Sequence, residues 1–336
     1  LNRYQISRLP VVDGQKLIGI ITRADIIRTE ANHLNGETGV TGPQAEPSYL
    51  VYQTRSPSIG RGRLLVTVAN PETAPALLEM AAAIARDRHY EIECLQIILV
   101  SRHVSPSETP VNTVKSRRLL RQAESLAKKL NIPIHTQIRV AHDIAQAILE
   151  TTKERHIDLI FMGWKGNTST PGRIFGNVVD TIIRQANCDV VLVKLGYNFH
   201  SYQEFKRWLV PMAGGPNAPI AIKLLPALVT LENTCEIRLT QVVKPGELAP
   251  DMTVLEESTR QLMRNRNLYS NVVAASLQAE SVIAGVIELV KTEDFDVVVL
   301  GASREGLLQQ AIQGNIPESI ASGVGSTIIL VRSAIL

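Results

Sequence analysis

Two stretches of this 336-residue chain, 138 residues apart, are one unit written twice. DLIFMG runs from Asp158 to Gly163, and Gly176-Asn177 follows thirteen residues after Gly163. DVVVLG runs from Asp296 to Gly301, and Gly314-Asn315 follows at the same distance. Each copy is an apolar run ending in glycine, a Gly-punctuated loop, a helix-like segment and a second apolar run. Those second runs are CDVVLVKLG from Cys188 and GSTIILVRS from Gly325. The order is strand, phosphate-sized loop, helix, strand, so the chain is expected to be a tandem of one α/β module with its ligand site at the same point of each copy.

The rest of the chain fits that frame. LPVVD, a Gly14 turn and KLIGIIT predict a hairpin over residues 9–22, followed by a helix start at RADIIR. This unit, residues 1–30, has too few elements to bury a core alone. Residues 31–61 turn polar and Gly/Pro-rich and are read as a linker. The first module, residues 62–196, opens with RLLVTVAN and alternates strands with helices of 10–15 residues. A ten-residue aromatic join (197–206, YNFHSYQEFK) leads to the second module, residues 207–336, in the same order. Such alternation predicts an α/β fold: two doubly wound, mostly parallel buried sheets. Both modules end in a β-branched apolar strand, whose open edge is an aggregation hazard unless covered. The strands Cys188–Lys194 and Ser326–Arg332 are therefore expected at the contact of a pseudo-twofold pair.

Several function classes are disfavoured. A formal charge of +3 and only 4% aromatic residues give little for nucleic acid to bind or stack on. Cys94, Cys188 and Cys235 are an odd, dispersed set within apolar runs, which reads as buried thiols rather than disulfides or a metal site. The seven histidines lack metal-ligand spacing. No segment is long and apolar enough to span a membrane. Because the sequence opens at Leu1 inside what reads as a motif, the chain is expected to be a piece of a longer protein, on the cytoplasmic side of a membrane. His142-Asp143 reads as a helix cap with an exposed histidine. The basic helix over 115–129 reads as a solvated face, with acidic lipid or a partner as the other reading.

In a doubly wound sheet, ligands bind at the carboxyl ends of strands, near the switch in strand order. Two loops per module qualify. One follows the opening strand, at Ala69-Asn70-Pro71 and at Ala213–Asn217. The other is the Gly loop: Gly163, Gly166, Gly176 and Asn177 in the first copy; Gly301, Gly314 and Asn315 in the second. Glycines admit a phosphate close to the backbone, and the following helix start supplies N–H donors.

That pattern, G-x-x-G, nine residues, then Gly and a small polar residue, resembles the nucleotide-binding signature of universal stress proteins, and CDVVLV resembles their last strand. The resemblance covers both modules and implies an adenine nucleotide ligand (ATP, ADP or AMP), with pairing through the last strands. Its ATP-binding branch has an Asp after the first strand; here Ala69 and Ala213 stand in that place. In the second copy Arg304 replaces the middle glycine, so nucleotide is expected in the first module. RLPVVDGQKLIGIITRADII resembles the last third of a CBS domain, which implies that Thr22 and Asp25 touch an adenosine ribose; a helix cap explains them equally well.

The order of a CBS end before paired stress modules resembles the cytoplasmic C-terminal region of CLC chloride channels or chloride/proton exchangers. It implies a non-enzymatic, nucleotide- or stress-sensing region that biases a transporter body attached before Leu1, with a second copy of the chain as a further partner. A free-standing tandem stress protein, the tail of an amino-acid permease or cation/proton antiporter, and a scaffold with two dead sites are the other readings.

Overall fold

A computed structural model describes residues 8–13, 16–22, 46–165, 175–197, 199, 205–212, 218–231, 235–246, 251–264, 271–301 and 316–334. The chain divides into two units, Leu1–Glu46 and Pro47–Leu336. In the first, β1 (Arg8–Asp13) and β2 (Lys16–Thr22) form the expected antiparallel hairpin, with Arg8 opposite Thr22 and Asp13 opposite Lys16. The helix start expected at RADIIR lies outside the described residues.

The second unit is built on one eleven-stranded sheet. Its strands are β3 (Tyr49–Thr54), β4 (Gly62–Thr67), β5 (Tyr90–Leu99), β6 (Ile134–Ala141), β7 (Leu159–Gly163), β8 (Asp189–Lys194), β9 (Arg207–Pro211), β10 (Glu236–Val243), β11 (Asn271–Gln278), β12 (Val297–Gly301) and β13 (Thr327–Arg332). Across the sheet they run β11-β10-β9-β12-β13-β8-β7-β4-β5-β6-β3. Each module thus contributes five parallel strands whose order reverses beside its opening strand, β4 or β9. This is the doubly wound fold that the strand–helix alternation predicts.

Period-two patterning sorts the side chains into two cores. Leu64, Val66, Phe161, Val191, Trp208, Val299 and Ile329 face one helical layer. That layer holds α1 (Ala74–Arg88), α2 (Val114–Leu130), α5 (Ala218–Leu228) and α6 (Thr253–Met263). Leu65, Ile160, Leu192, Leu209, Val298 and Leu330 face the other. It holds α3 (Ile144–Glu154), α4 (Asn177–Gln185), α7 (Val282–Glu293) and α8 (Ile316–Gly323). Helices α1 and α5, the first of each module, pack on one another across the seam. Both cores therefore run through both modules without a break. Fully buried strands such as β13 show why their sequences are unbroken β-branched runs rather than alternating ones.

The seam is where the last strands were expected. β8 and β13 pair antiparallel, Lys194 opposite Ile328 through Val190 opposite Arg332. The 138-residue offset carries Leu192 onto Leu330, and these two are partners in register, so the local twofold passes through them. The offset also carries Lys194 onto Arg332, and both are buried. Lys194 Nζ donates to the carbonyls of Ala321 (2.5 Å) and Val324 (3.1 Å) at the end of the second module's last helix. Arg332 donates to Ala186 (2.8 Å), Cys188 (3.1 Å) and Ile182 (3.2 Å) at the end of the first module's. Each cation crosses the seam to the negative end of the opposite helix, where orphan carbonyls collect.

One segment departs from the sequence reading. Residues 31–61 read as linker, yet Tyr49–Thr54 forms β3, antiparallel to β6 with Tyr49 opposite Val140 and Thr54 opposite Thr136. The short YLVYQT run satisfies a β6 edge that would otherwise be open, and its Gly/Pro-rich surroundings mask it in the sequence. Among the described residues β11, at the other end of the sheet, has no such cover.

Candidate nucleotide site

The switch in strand order of the first module falls between β4 and β7. Thr67 lies opposite Met162, so the register sets the β4–α1 turn beside the end of β7. Val68 N–H donates to Leu95 O (3.0 Å), and Gln96 Nε2 donates to Val68 O (3.0 Å), fixing the strand end. Ala69 and Asn70 then emerge into solvent. Asn70 Oδ1 accepts from Glu72 N (3.0 Å) and Asn70 O accepts from Ala74 N (2.9 Å), so this side chain shapes the entry to α1. The Ala69 methyl offers no hydrogen bond to a ribose.

Gly163 ends β7 at the surface. A Cβ there would lie 3.0 Å from Leu77 Cδ1, so the glycine also serves close packing of β7 on α1. Trp164 turns back into the protein. Its backbone N–H donates to Val193 O (2.8 Å), and its ring meets Phe175 edge-on at 5.2 Å between centroids. That contact draws together the two ends of the glycine loop, residues 164 and 175. Buried Asp180 accepts from Phe175 N (3.0 Å) and pins the far end. Gly176 has φ of 99°, a conformation that a side chain would strain, and it stands as N-cap of α4 with Asn177 exposed behind it. The result is a solvent-facing helix start whose amides favour an anion.

The structure thus brings Ala69, Asn70 and Gly163 together at adjacent strand ends, and places Gly176 and Asn177 at the start of α4. Gly166 lies outside the described residues, as do Asp25, Ala213–Asn217, Arg304, Gly314 and Asn315. Gly301 ends β12 at the surface, matching Gly163. Thr22 closes β2 in the separate first unit. Asp143 caps α3 by accepting from Gln146 N (2.9 Å), and His142 Nε2 lies 2.8 Å from Val104 O, so both are structural. All three cysteines are buried. Burial pushes the Cys188 thiol up to about 11 and the Cys94 thiol higher still. Among the described residues no cluster could hold a metal ion, and no helix is long and apolar enough to cross a membrane.

A second polar cluster was missed by the sequence reading. Glu91 and Glu93 on β5 share a face with His135, Gln137 and Arg139 on β6, all buried. Arg55 clasps both oxygens of Glu93 (2.9 and 2.8 Å), and Glu91 takes Gly60 N (2.8 Å), His135 Nε2 (3.0 Å) and Arg63 Nε (3.2 Å). Burial alone would raise the Glu91 carboxyl; the Gly60 amide, His135 and Arg63 outweigh it and hold the group below the usual carboxylate range. Ser56 N–H donates to His135 Nδ1 (3.3 Å), and Arg139 pairs with Glu154. The cluster fastens residues 55–63 to the sheet. Polar residues at alternate positions in both strands were the available signal.

Geometry and fold together define a tandem α/β module whose first copy carries Gly163 at the switch in strand order and an exposed, glycine-capped helix start. Residues 60–194 match the model of the Universal stress protein family, and residues 1–32 match that of the CBS domain. The chain is 27% identical over 278 residues to the Na(+)/H(+) antiporter NhaS5 of Synechocystis, a match covering 80% of this chain and 38% of the antiporter. It therefore spans well under half of that relative's length. Among solved structures, a universal stress protein from Archaeoglobus fulgidus shares 14% identity over 81% of this chain and 97% of its own, with a TM-score of 0.50. The cytoplasmic domain of a prokaryotic cation chloride cotransporter shares 12% identity over 81% and 96%, with a TM-score of 0.51. At these identities the structural likeness establishes the tandem stress-protein fold.

Proposed function

We propose that this chain is a cytoplasmic regulatory region of a membrane ion transporter, sensing adenine nucleotide in its first stress module and catalysing nothing itself. The observation that carries the reading is the antiporter match: it runs through both modules, yet occupies only 38% of a transporter. Domain order alone suggested a CLC chloride channel or exchanger. Of the relatives named above, one is a cation/proton antiporter and another a cation chloride cotransporter domain, so we favour a cation/proton antiporter as the attached body.

Nucleotide sensing is supported by the exposed α4 start, Gly163 and the positive-φ Gly176. Ala69 removes one ribose contact, so weak binding of ATP, ADP or AMP is expected. A ligand biases a transporter only through its difference in affinity for two states of the tail, typically about 1–3 kcal/mol of coupling. The test is cation/proton exchange by the full-length protein in everted vesicles, with and without residues 46–336. Loss of a nucleotide response with transport retained is the expected result. An unchanged response refutes the reading, and ATP turnover above background by the purified chain makes it an enzyme.

A further inference from the structure

Helix α2 carries a charge pattern that its role in the core does not require. It buries Ser116, Leu119, Leu120, Ala123 and Ala127 against the sheet and α1. The opposite arc presents Lys115, Arg117, Arg118, Arg121, Lys128 and Lys129, all exposed. At 1.5 Å per residue these six cations extend over about 20 Å. Among the described residues none of them has a carboxylate partner. The helix's one acid, Glu124, turns sideways to accept from Thr54 (2.9 Å) and Thr136 (3.0 Å) and neutralises nothing on the arc. Arg118 and Arg121, with Gln122 and Ser125, line an open depression on its crest.

The second module supplies an internal control. Its equivalent helix, α6, occupies the same layer and carries Glu256, Glu257 and Arg260, with Glu256 and Arg260 paired at 3.7 Å. The frame is therefore built as well from a helix of mixed charge. Helix α2 has a formal charge of +5 against +3 for the whole chain, so everything else sums to −2. Among the described helices no other carries so large a net charge.

We infer that the exposed face of α2 is a docking surface for anionic phospholipid headgroups of the membrane that holds the transporter. The inference rests on the transporter reading, which tethers the modules within reach of a bilayer. A row of cations some 20 Å long suits a planar array of phosphates rather than one small anion. Arg117 lies 4.4 Å over the Tyr52 ring, so that aromatic face is already covered rather than offered to a nucleic-acid base. Its only apolar residue is Val114, so contact is electrostatic adsorption without insertion, and salt weakens it.

The experiment is cosedimentation of the purified chain with extruded vesicles, of phosphatidylcholine alone or with 30 mol% phosphatidylglycerol, at about 50 and 300 mM salt. Binding is expected to the anionic vesicles only, and to fall steeply at the higher salt. Each cation near such a surface contributes roughly a fivefold factor in partitioning. The triple variant Arg118→Gln/Arg121→Gln/Lys129→Gln is therefore expected to bind about a hundredfold more weakly. The control Lys153→Gln/Arg184→Gln/Lys291→Gln, exposed cations elsewhere, is expected to stay within about twofold if the effect is confined to α2. Equal binding to neutral vesicles, an unaffected α2 triple variant, or tighter binding to duplex DNA would overturn the docking surface. If deleting the tail abolishes the nucleotide response while the chain ignores vesicles, docking alone falls. If vesicles bind and no such response exists, the transporter reading falls instead.

Discussion

Lys194→Met tests what secures the seam between the modules. Lys194 is buried, and its ammonium donates to two carbonyls at the end of α8 while lying 4.9 Å from the Tyr197 ring centroid. Methionine keeps most of the apolar stem and removes only the charge and its donors. Two buried carbonyls then lose their partner, at about 1–3 kcal/mol each. Against this, the variant no longer desolvates an ammonium, a cost visible in the lowering of the Lys194 pKa by burial. The net expected loss is about 2 kcal/mol, or a fall in melting temperature of some 4 °C for a unit of this size.

The sign with pH follows from the same shift. Between the lowered folded value and about 10.4 in the unfolded chain, the unfolded state binds more protons. Wild-type stability therefore gains on the methionine variant as pH rises through that window, because a neutral amine still has two N–H donors for two carbonyls. Urea unfolding at pH 8 and pH 10 measures both effects. A variant as stable as wild type at pH 8, or a gap that narrows at pH 10, would refute the reasoning.

Three further outcomes are expected. Arg55→Ala takes from buried Glu93 the Nη1 from which both its oxygens accept, so the unit should lose about 1–3 kcal/mol and trypsin should cut earlier at Arg61, read by timed digestion and mass spectrometry. Glu91, held below its unfolded value of about 4.3, contributes stability that is present above that pH and lost as pH falls through the folded value. Glu91→Gln should therefore be less stable at neutral pH and lose less between pH 5 and 3, whereas parallel curves would contradict the assignment. The buried Cys94, Cys188 and Cys235 should resist a thiol reagent at pH 8 until denaturant is added; labelling within minutes would show that the seam or core opens.

The duplication was legible because it left paired marks at one offset. Asp158 and Asp296 illustrate this: each accepts, through Oδ2, a backbone N–H at the start of its module's opening strand, from Arg63 in one copy and Arg207 in the other, both at 2.8 Å. The seam was legible for a similar reason, since an unbroken run such as TIILVR needs cover on both faces and on its edge. β3 was not, because YLVYQT is short and its role depends on an edge formed by residues some 85 positions later. At the candidate site, spacing alone put Gly163 at a strand end and Gly176 at a helix start. The sequence could not show that Gly163 also makes room for Leu77, or that Trp164 and Phe175 draw the loop ends together. The clasp around Glu91 and His135 went unseen because its partners come from three separate segments.

Joining two modules through β8 and β13 in one polypeptide also removes a constraint that symmetric dimers carry. In a homodimer every substitution appears twice, so a charge useful on one side of the axis is imposed on the other. Here each half mutates alone while the seam holds them in fixed register. Lysine can serve at position 194 and arginine at 332, and α2 can become strongly basic while α6 stays mixed. One half is thereby free to keep a ligand site and acquire a sticky face, and the other to serve as its rigid counterweight.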